Sequence, residues 1–143
     1  MGSNSSSYSS KGCTVNNEGQ ESVINTIKHG KPDHSIYITD VYWNYKSAGR
    51  NNFHRFLEIK FCCNNCNFTK YVRTDKTNNG SKNICCADGL LKQGGLLWYW
   101  HKKPKNHYTI HNLIDVINDA KSGYSLGYNN CRLYAEYIWD RIN

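Results

Sequence analysis

The stretch FHRFLEIKF, residues 53–61, followed by CCNNCN and then TKYVRTD at 69–75, constrains this chain more than any other. Its first limb alternates with a period of two. Phe53, Leu57, Ile59 and Phe61 share one face with Arg55, and His54, Phe56, Glu58 and Lys60 share the other. That alternation is the mark of a strand, and the Asn- and Cys-rich hexamer after it is a turn. TKYVRTD is then the returning strand, so residues 53–75 predict an antiparallel β-hairpin. Antiparallel pairing brings the two outer ends of such a hairpin, near His54 and Asp75, to one end of the sheet.

The remaining elements follow from similar signals. SIYITDVYW (35–43) and LLWYWHK (96–102) are rich in β-branched and aromatic residues and read as further strands, whereas KSAGRNN (46–52) and KTNNGSKN (76–83) read as loops. ESVINTIKHG (21–30) reads as a short helix stopping at Gly30. TIHNLIDVINDAKSG (109–123) places Ile110, Leu113, Ile114 and Ile117 at helical spacing and stops at Gly123. A last helix runs from about Asn130 to Ile142 with the apolar stripe Cys131, Tyr134, Ala135, Ile138 and Ile142. The expected class is α+β, a small antiparallel sheet with helices packed on it. The length of 143 residues suits one domain, placed at 21–143 after a Ser/Asn-rich tail at 1–20 that is expected to be disordered. Eleven Tyr, four Trp and four Phe supply the bulk of a core.

The net charge of +7 permits contact with nucleic acid, anionic membrane or acidic substrates without choosing among them. The densest basic stretch, HKKPKNH (101–107), follows Trp98, Tyr99 and Trp100. Such a pairing can bind single-stranded nucleic acid. A buried aromatic strand running into a solvated loop is the preferred reading, and nucleic acid is not favoured as a partner. No run reaches the length of a transmembrane helix, and no apolar segment at the N-terminus reads as a secretory signal. A cytoplasmic setting with reduced thiols is therefore expected for the seven cysteines, an odd number that cannot pair completely. MGSNSS fits the N-myristoylation pattern with Gly2 as acceptor. One such chain would give only marginal, peripheral membrane contact.

The functional question centres on Cys131 in YNNCRLYAEYIWDRIN. It falls in the first turn of the last helix, with Asn129 or Asn130 as N-cap. Unpaired N–H groups and the helix dipole at that position favour an anion, which lowers a thiol pKa, and the Cys131 N–H is free to donate to an oxyanion. The competing reading is a small core residue, because Cys131 also lies on the apolar stripe. A nucleophile needs a base and an orienting acceptor. Of the six histidines, His54 opens a strong strand, and Asp75 ends its partner.

A strand-borne histidine in FHRFLEIKF, a hairpin, a polar residue, then Asn-Cys opening an aromatic helix in NNCRLYAEYIW resembles the circularly permuted papain-like thiol enzymes. That NlpC-type group includes the lecithin retinol acyltransferase-like proteins. The resemblance covers about residues 35–143. It implies a thiol nucleophile matching Cys131, a histidine base matching His54 and a third polar residue matching Asp75. It also implies amidase, peptidase or acyltransferase chemistry on a peptide, amide or lipid-ester substrate through a thioester acyl-enzyme. More familiar members carry a second histidine where Asp75 stands, which leaves the substrate class open.

Five of the other six cysteines fall in FCCNNC and NICC. Cys63 and Cys66 have C-x-x-C spacing, and with Cys85 and Cys86 they could supply the four ligands of a structural zinc ion. Two readings thus stand: a thiol hydrolase or acyltransferase acting through Cys131, or a zinc-braced binding module, with a catalytically inactive papain-like domain as a third outcome.

Overall fold

The computed structural model describes residues 17–47, 53–77, 79–91, 96–121 and 130–143. In chain order these form α1 (Gln20–Thr26), β1 (Ile36–Ser47), β2 (Phe53–Cys63), β3 (Thr69–Lys76), β4 (Lys82–Ala87), β5 (Leu96–Lys102), α2 (Ile110–Asp119) and α3 (Cys131–Arg141). The class is α+β, as expected. Five antiparallel strands lie in the order β4-β3-β2-β1-β5, with three helices. No described helix is long and apolar enough to cross a membrane.

The hairpin of β2 and β3 forms the middle of the sheet, with Phe56 opposite Asp75, Leu57 opposite Thr74 and Ile59 opposite Val72. The alternation seen in the sequence sorts the two faces. Val41, Trp43, Leu57, Ile59, Val72 and Ile84 join Leu113, Ile117, Tyr134, Ala135, Ile138 and Ile142 in one core. Each fully buried aliphatic side chain there contributes roughly 1.5–3 kcal/mol. The other face is also covered, by polar contacts. Glu58 accepts from Asn44, Arg73 and the Leu91 backbone, while Arg73 donates to the Gly89 carbonyl. A segment that follows β4 therefore crosses this face and shields a buried ion pair.

Several boundaries differ from the sequence reading. KTNNGSKN, expected as a loop, contains the start of β4, which pairs with β3 from Lys76–Lys82 to Tyr71–Ala87. KNICCA offers only six residues and no clean alternation, so its strand character comes from pairing with β3. β2 runs on through Cys62 and Cys63, and β1 extends to Ser47. The end of the expected tail is docked. The Glu18 N–H donates to the Ile84 carbonyl, and the Glu18 carboxylate accepts from the Cys86 N–H. α1 stops at Thr26, ahead of Gly30, and α2 ends at Asp119, while Gly123 lies outside the described residues. The carbonyls at the end of α2 are met by lysines from the sheet. Lys82 donates to Ile117 and Ala120, and Lys76 to Lys121. Cations at a helix C-terminus satisfy those acceptors and oppose the dipole.

Candidate active site

α3 begins where the sequence placed it. Asn130 is its N-cap, in extended backbone, and its side-chain oxygen accepts from the Leu133 N–H at 3.0 Å. Cys131 is therefore the first helical residue, with a backbone N–H that has no carbonyl partner within the helix. The stripe behind it is buried as expected, with Cys131 at 7% exposure and Tyr134, Ala135 and Ile138 at 3% or less. Tyr134, one turn on, fixes the helix against β3. Its hydroxyl meets Thr74 Oγ1 at 2.6 Å, and Thr74 Oγ1 donates to the Asn83 carbonyl at 2.7 Å.

That docking carries Cys131 to the start of β2. The β2–β3 ladder closes at the Phe56–Asp75 pair, one residue short of Arg55. The Arg55 backbone N–H donates to the Cys131 sulfur, and the His54 ring shares a hydrogen bond with the same sulfur. His54 Nε2 lies 2.7 Å from Asp75 Oδ2. With Nε2 given to Asp75, Nδ1 is the ring nitrogen left for the thiol. The register explains the contact, because His54 is two residues from Phe56 and so a diagonal neighbour of Asp75 on one face. The second Asp75 oxygen, Oδ1, accepts from Asn83 Nδ2 at 3.1 Å, across the β3–β4 pair. Asp75 is fully buried and the His54 side chain is 17% exposed.

The electrostatics follow from these contacts. Burial opposes a charged imidazole at His54, but the Asp75 hydrogen bond, the Cys131 hydrogen bond and the charges of both raise its pKa to about 9. Burial likewise opposes a thiolate at Cys131. The His54 hydrogen bond, the Arg55 N–H and the nearby positive charge outweigh it and hold the thiol below its ordinary value. Both shifts favour the thiolate–imidazolium form of the pair, whose two groups titrate together.

The sequence reading thus placed Cys131, His54, Asp75 and Asn130 where the fold brings them together, whereas Asn129 and Gly2 lie outside the described residues. It missed Asn83, which sat in an assigned loop. The expected metal set is not assembled. Cys85 and Cys86 are adjacent on β4, so their side chains point to opposite faces of the sheet. Burial pushes the Cys85 thiol up to about 12 and Cys86 to about 11, which makes both poor thiolates. Cys63 and Cys66 instead meet His29 and His34, in a cluster whose ligand atoms all lie within 4.8 Å of one another and which could hold a metal ion. This cluster sits at the opposite end of β2 from His54.

Comparison with protein-family models, with curated proteins and with solved structures found no match to this chain.

Proposed function

We propose that this protein is a thiol hydrolase or acyltransferase of the circularly permuted papain-like kind, acting on an amide or ester through an acyl-enzyme on Cys131. The observation that carries the reading is the unbroken chain Cys131–His54–Asp75–Asn83, which joins the first residue of a helix to three sheet strands.

The chemistry runs on this chain's own groups. The Cys131 thiolate adds to the substrate carbonyl carbon, and the carbonyl electron pair moves onto oxygen. The Cys131 N–H at the start of α3 donates to that oxyanion, where the helix dipole also favours negative charge. As the intermediate collapses, the bond to the amine or alcohol breaks and His54 gives the leaving group its proton. A thioester and a neutral imidazole remain. His54 then takes a proton from water, or from an acceptor amine or alcohol, which attacks the thioester and returns the thiolate–imidazolium pair. Asp75 keeps the ring oriented throughout and stabilises its charged form, and Asn83 fixes Asp75. Zinc, expected from the cysteines as a structural ion, has no part in this step.

Incubation with an activated acyl ester, followed by intact-mass and peptide analysis, tests the reading. A single acyl adduct on Cys131, absent from Cys131→Ala and slowed in His54→Ala, is the expected result. Undiminished ester turnover by a folded Cys131→Ala protein would rule it out.

A further inference from the structure

Four potential ligands converge at the far end of β2. His29 and His34 come from the loop between α1 and β1, Cys63 is the last residue of β2, and Cys66 lies in the turn into β3. His29 Nε2 stands 2.7 Å from Cys66 Sγ, and His34 Nδ1 stands 3.4 Å from Cys63 Sγ. We propose that His29, His34, Cys63 and Cys66 form a closed tetrahedral zinc site that fastens the α1–β1 loop to the β2–β3 turn.

The donor set selects the metal. Two thiolates and two imidazoles suit Zn²⁺, whereas calcium and magnesium require oxygen, and the cluster contains no carboxylate. Two thiolates cancel the charge of the ion and the imidazoles bind neutral, so the filled site carries no net charge. Four protein ligands occupy every tetrahedral position, which makes the site structural. The geometry is close to what zinc needs. With Zn–S near 2.3 Å and Zn–N near 2.05 Å, neighbouring ligand atoms in a tetrahedron stand roughly 3.3–3.8 Å apart. The observed limit of 4.8 Å is met by side-chain movement of about 1 Å.

The surrounding backbone holds the ligands for that purpose. Gly30 and Asp33 both adopt left-handed backbone, with φ of 73° and 65°, and these two turns bring His34 back beside His29. The rings meet edge to face with centroids 5.0 Å apart. A non-glycine residue in that region costs roughly 1 kcal/mol. Asn65 offsets the strain by donating from Nδ2 to the Asp33 carbonyl at 2.8 Å. Asn64 zips the loop to the turn, since its Oδ1 accepts from the Ser35 N–H and its N–H donates to the Ser35 carbonyl. The C-x-x-C turn also aims backbone donors at sulfur. The Asn65 N–H reaches Cys63 Sγ at 3.3 Å, and the Cys66 N–H donates to it as well.

The test uses the full chain, stripped of metal by a chelator under reducing conditions and titrated with Co²⁺ and then Zn²⁺. The expected result is uptake of one ion per chain. Cobalt should give the intense visible bands of a tetrahedral centre with thiolate charge transfer, and zinc should displace it. Metal should slow alkylation of Cys63 and Cys66 by about 10-fold or more while Cys62 continues to react, and His29→Ala or Cys66→Ser should weaken zinc binding by a similar factor or more. Cys86→Ser should leave it unchanged. A pale octahedral cobalt spectrum would overturn the proposal. So would full tetrahedral bands in Cys66→Ser, or a Cys63–Cys66 disulfide forming in air with no stoichiometric metal uptake. If the ligand variants fail to fold, the alkylation contrast in the unaltered chain decides alone.

Discussion

Both ends of β2 carry a cysteine facing a histidine, and they are built for different work. At the start of the strand, His54 faces one sulfur, Cys131, and gives its other nitrogen to a buried carboxylate. At the end, Cys63 and Cys66 face His34 and His29, with no carboxylate in the cluster. The ends are separated by nine residues of strand, roughly 30 Å at about 3.3 Å per residue. Residue type alone therefore does not set the chemistry of a thiol. In the proposed reading, a single sulfur beside an imidazole whose charged form Asp75 favours acts as a nucleophile with its acid attached. Two sulfurs and two imidazoles converging on one point could hold a metal ion. The partners also come from different places. Asp75 belongs to a neighbouring strand and Cys131 opens a helix, which gives a rigid site. His29 and His34 lie in a loop, where an ion would tie the α1–β1 segment to the β2–β3 turn.

The contrast can be broken by removing each end in turn. Cys131→Ala should reduce acyl transfer about 10⁴-fold or more, because among the described residues no second thiol is placed against His54. Its unfolding midpoint should change little, since a small buried side chain is replaced by another, and denaturation monitored by circular dichroism checks this. Chelation should do the reverse. Removing an ion present at a thousand times its dissociation constant costs about 4 kcal/mol of stability. That loss should appear as a lower unfolding midpoint, while alkylation of Cys131 under native conditions keeps its rate.

Asp75→Asn sharpens the comparison by making the first end resemble the second, an imidazole without a carboxylate. Turnover should fall about 10²-fold or more. The pH profile should move with it. In the native protein the pair should give an acid limb below the ordinary thiol range, where the sulfur takes up a proton, and an alkaline limb near pH 9, where the imidazole loses one. Below the first, the sulfur is protonated and cannot attack; above the second, the imidazole is neutral and cannot protonate the leaving group. Without Asp75 the alkaline limb should shift to lower pH, and a pH–rate series on both proteins would show it. The smallest effect is expected for Asn83→Ala. Loss of one neutral donor to Asp75 is worth about 1 kcal/mol, or several-fold in rate.

The sequence made one end of β2 far more legible than the other. His54 and Asp75 could be placed because alternation in FHRFLEIKF fixed the strand and antiparallel pairing fixed the ends. Cys131 could be placed because an Asn cap and an apolar stripe mark a helix start. Asn83 could not, because a six-residue strand with adjacent cysteines carries little pattern of its own, and β4 is defined by its pairing with β3. At the other end the C-x-x-C pair was visible, but Cys85 and Cys86 were matched to it by residue type. Strand geometry parts that pair onto opposite faces. The histidines that do meet Cys63 and Cys66 lie five positions apart in a loop turned by Gly30 and Asp33. No periodicity announces such a pair.

The central claim is that Cys131 is an activated thiolate paired with His54. The measurement that tests it most directly is the alkylation rate of Cys131 across pH, resolved by peptide mass so that the other cysteines remain unaltered, in the native chain and in His54→Ala. The expected result is an apparent pKa below the ordinary thiol value of about 8.5, rising to or above that value when His54 is removed. A profile that follows an ordinary thiol and ignores the loss of His54 would contradict the account and leave Cys131 as a core residue.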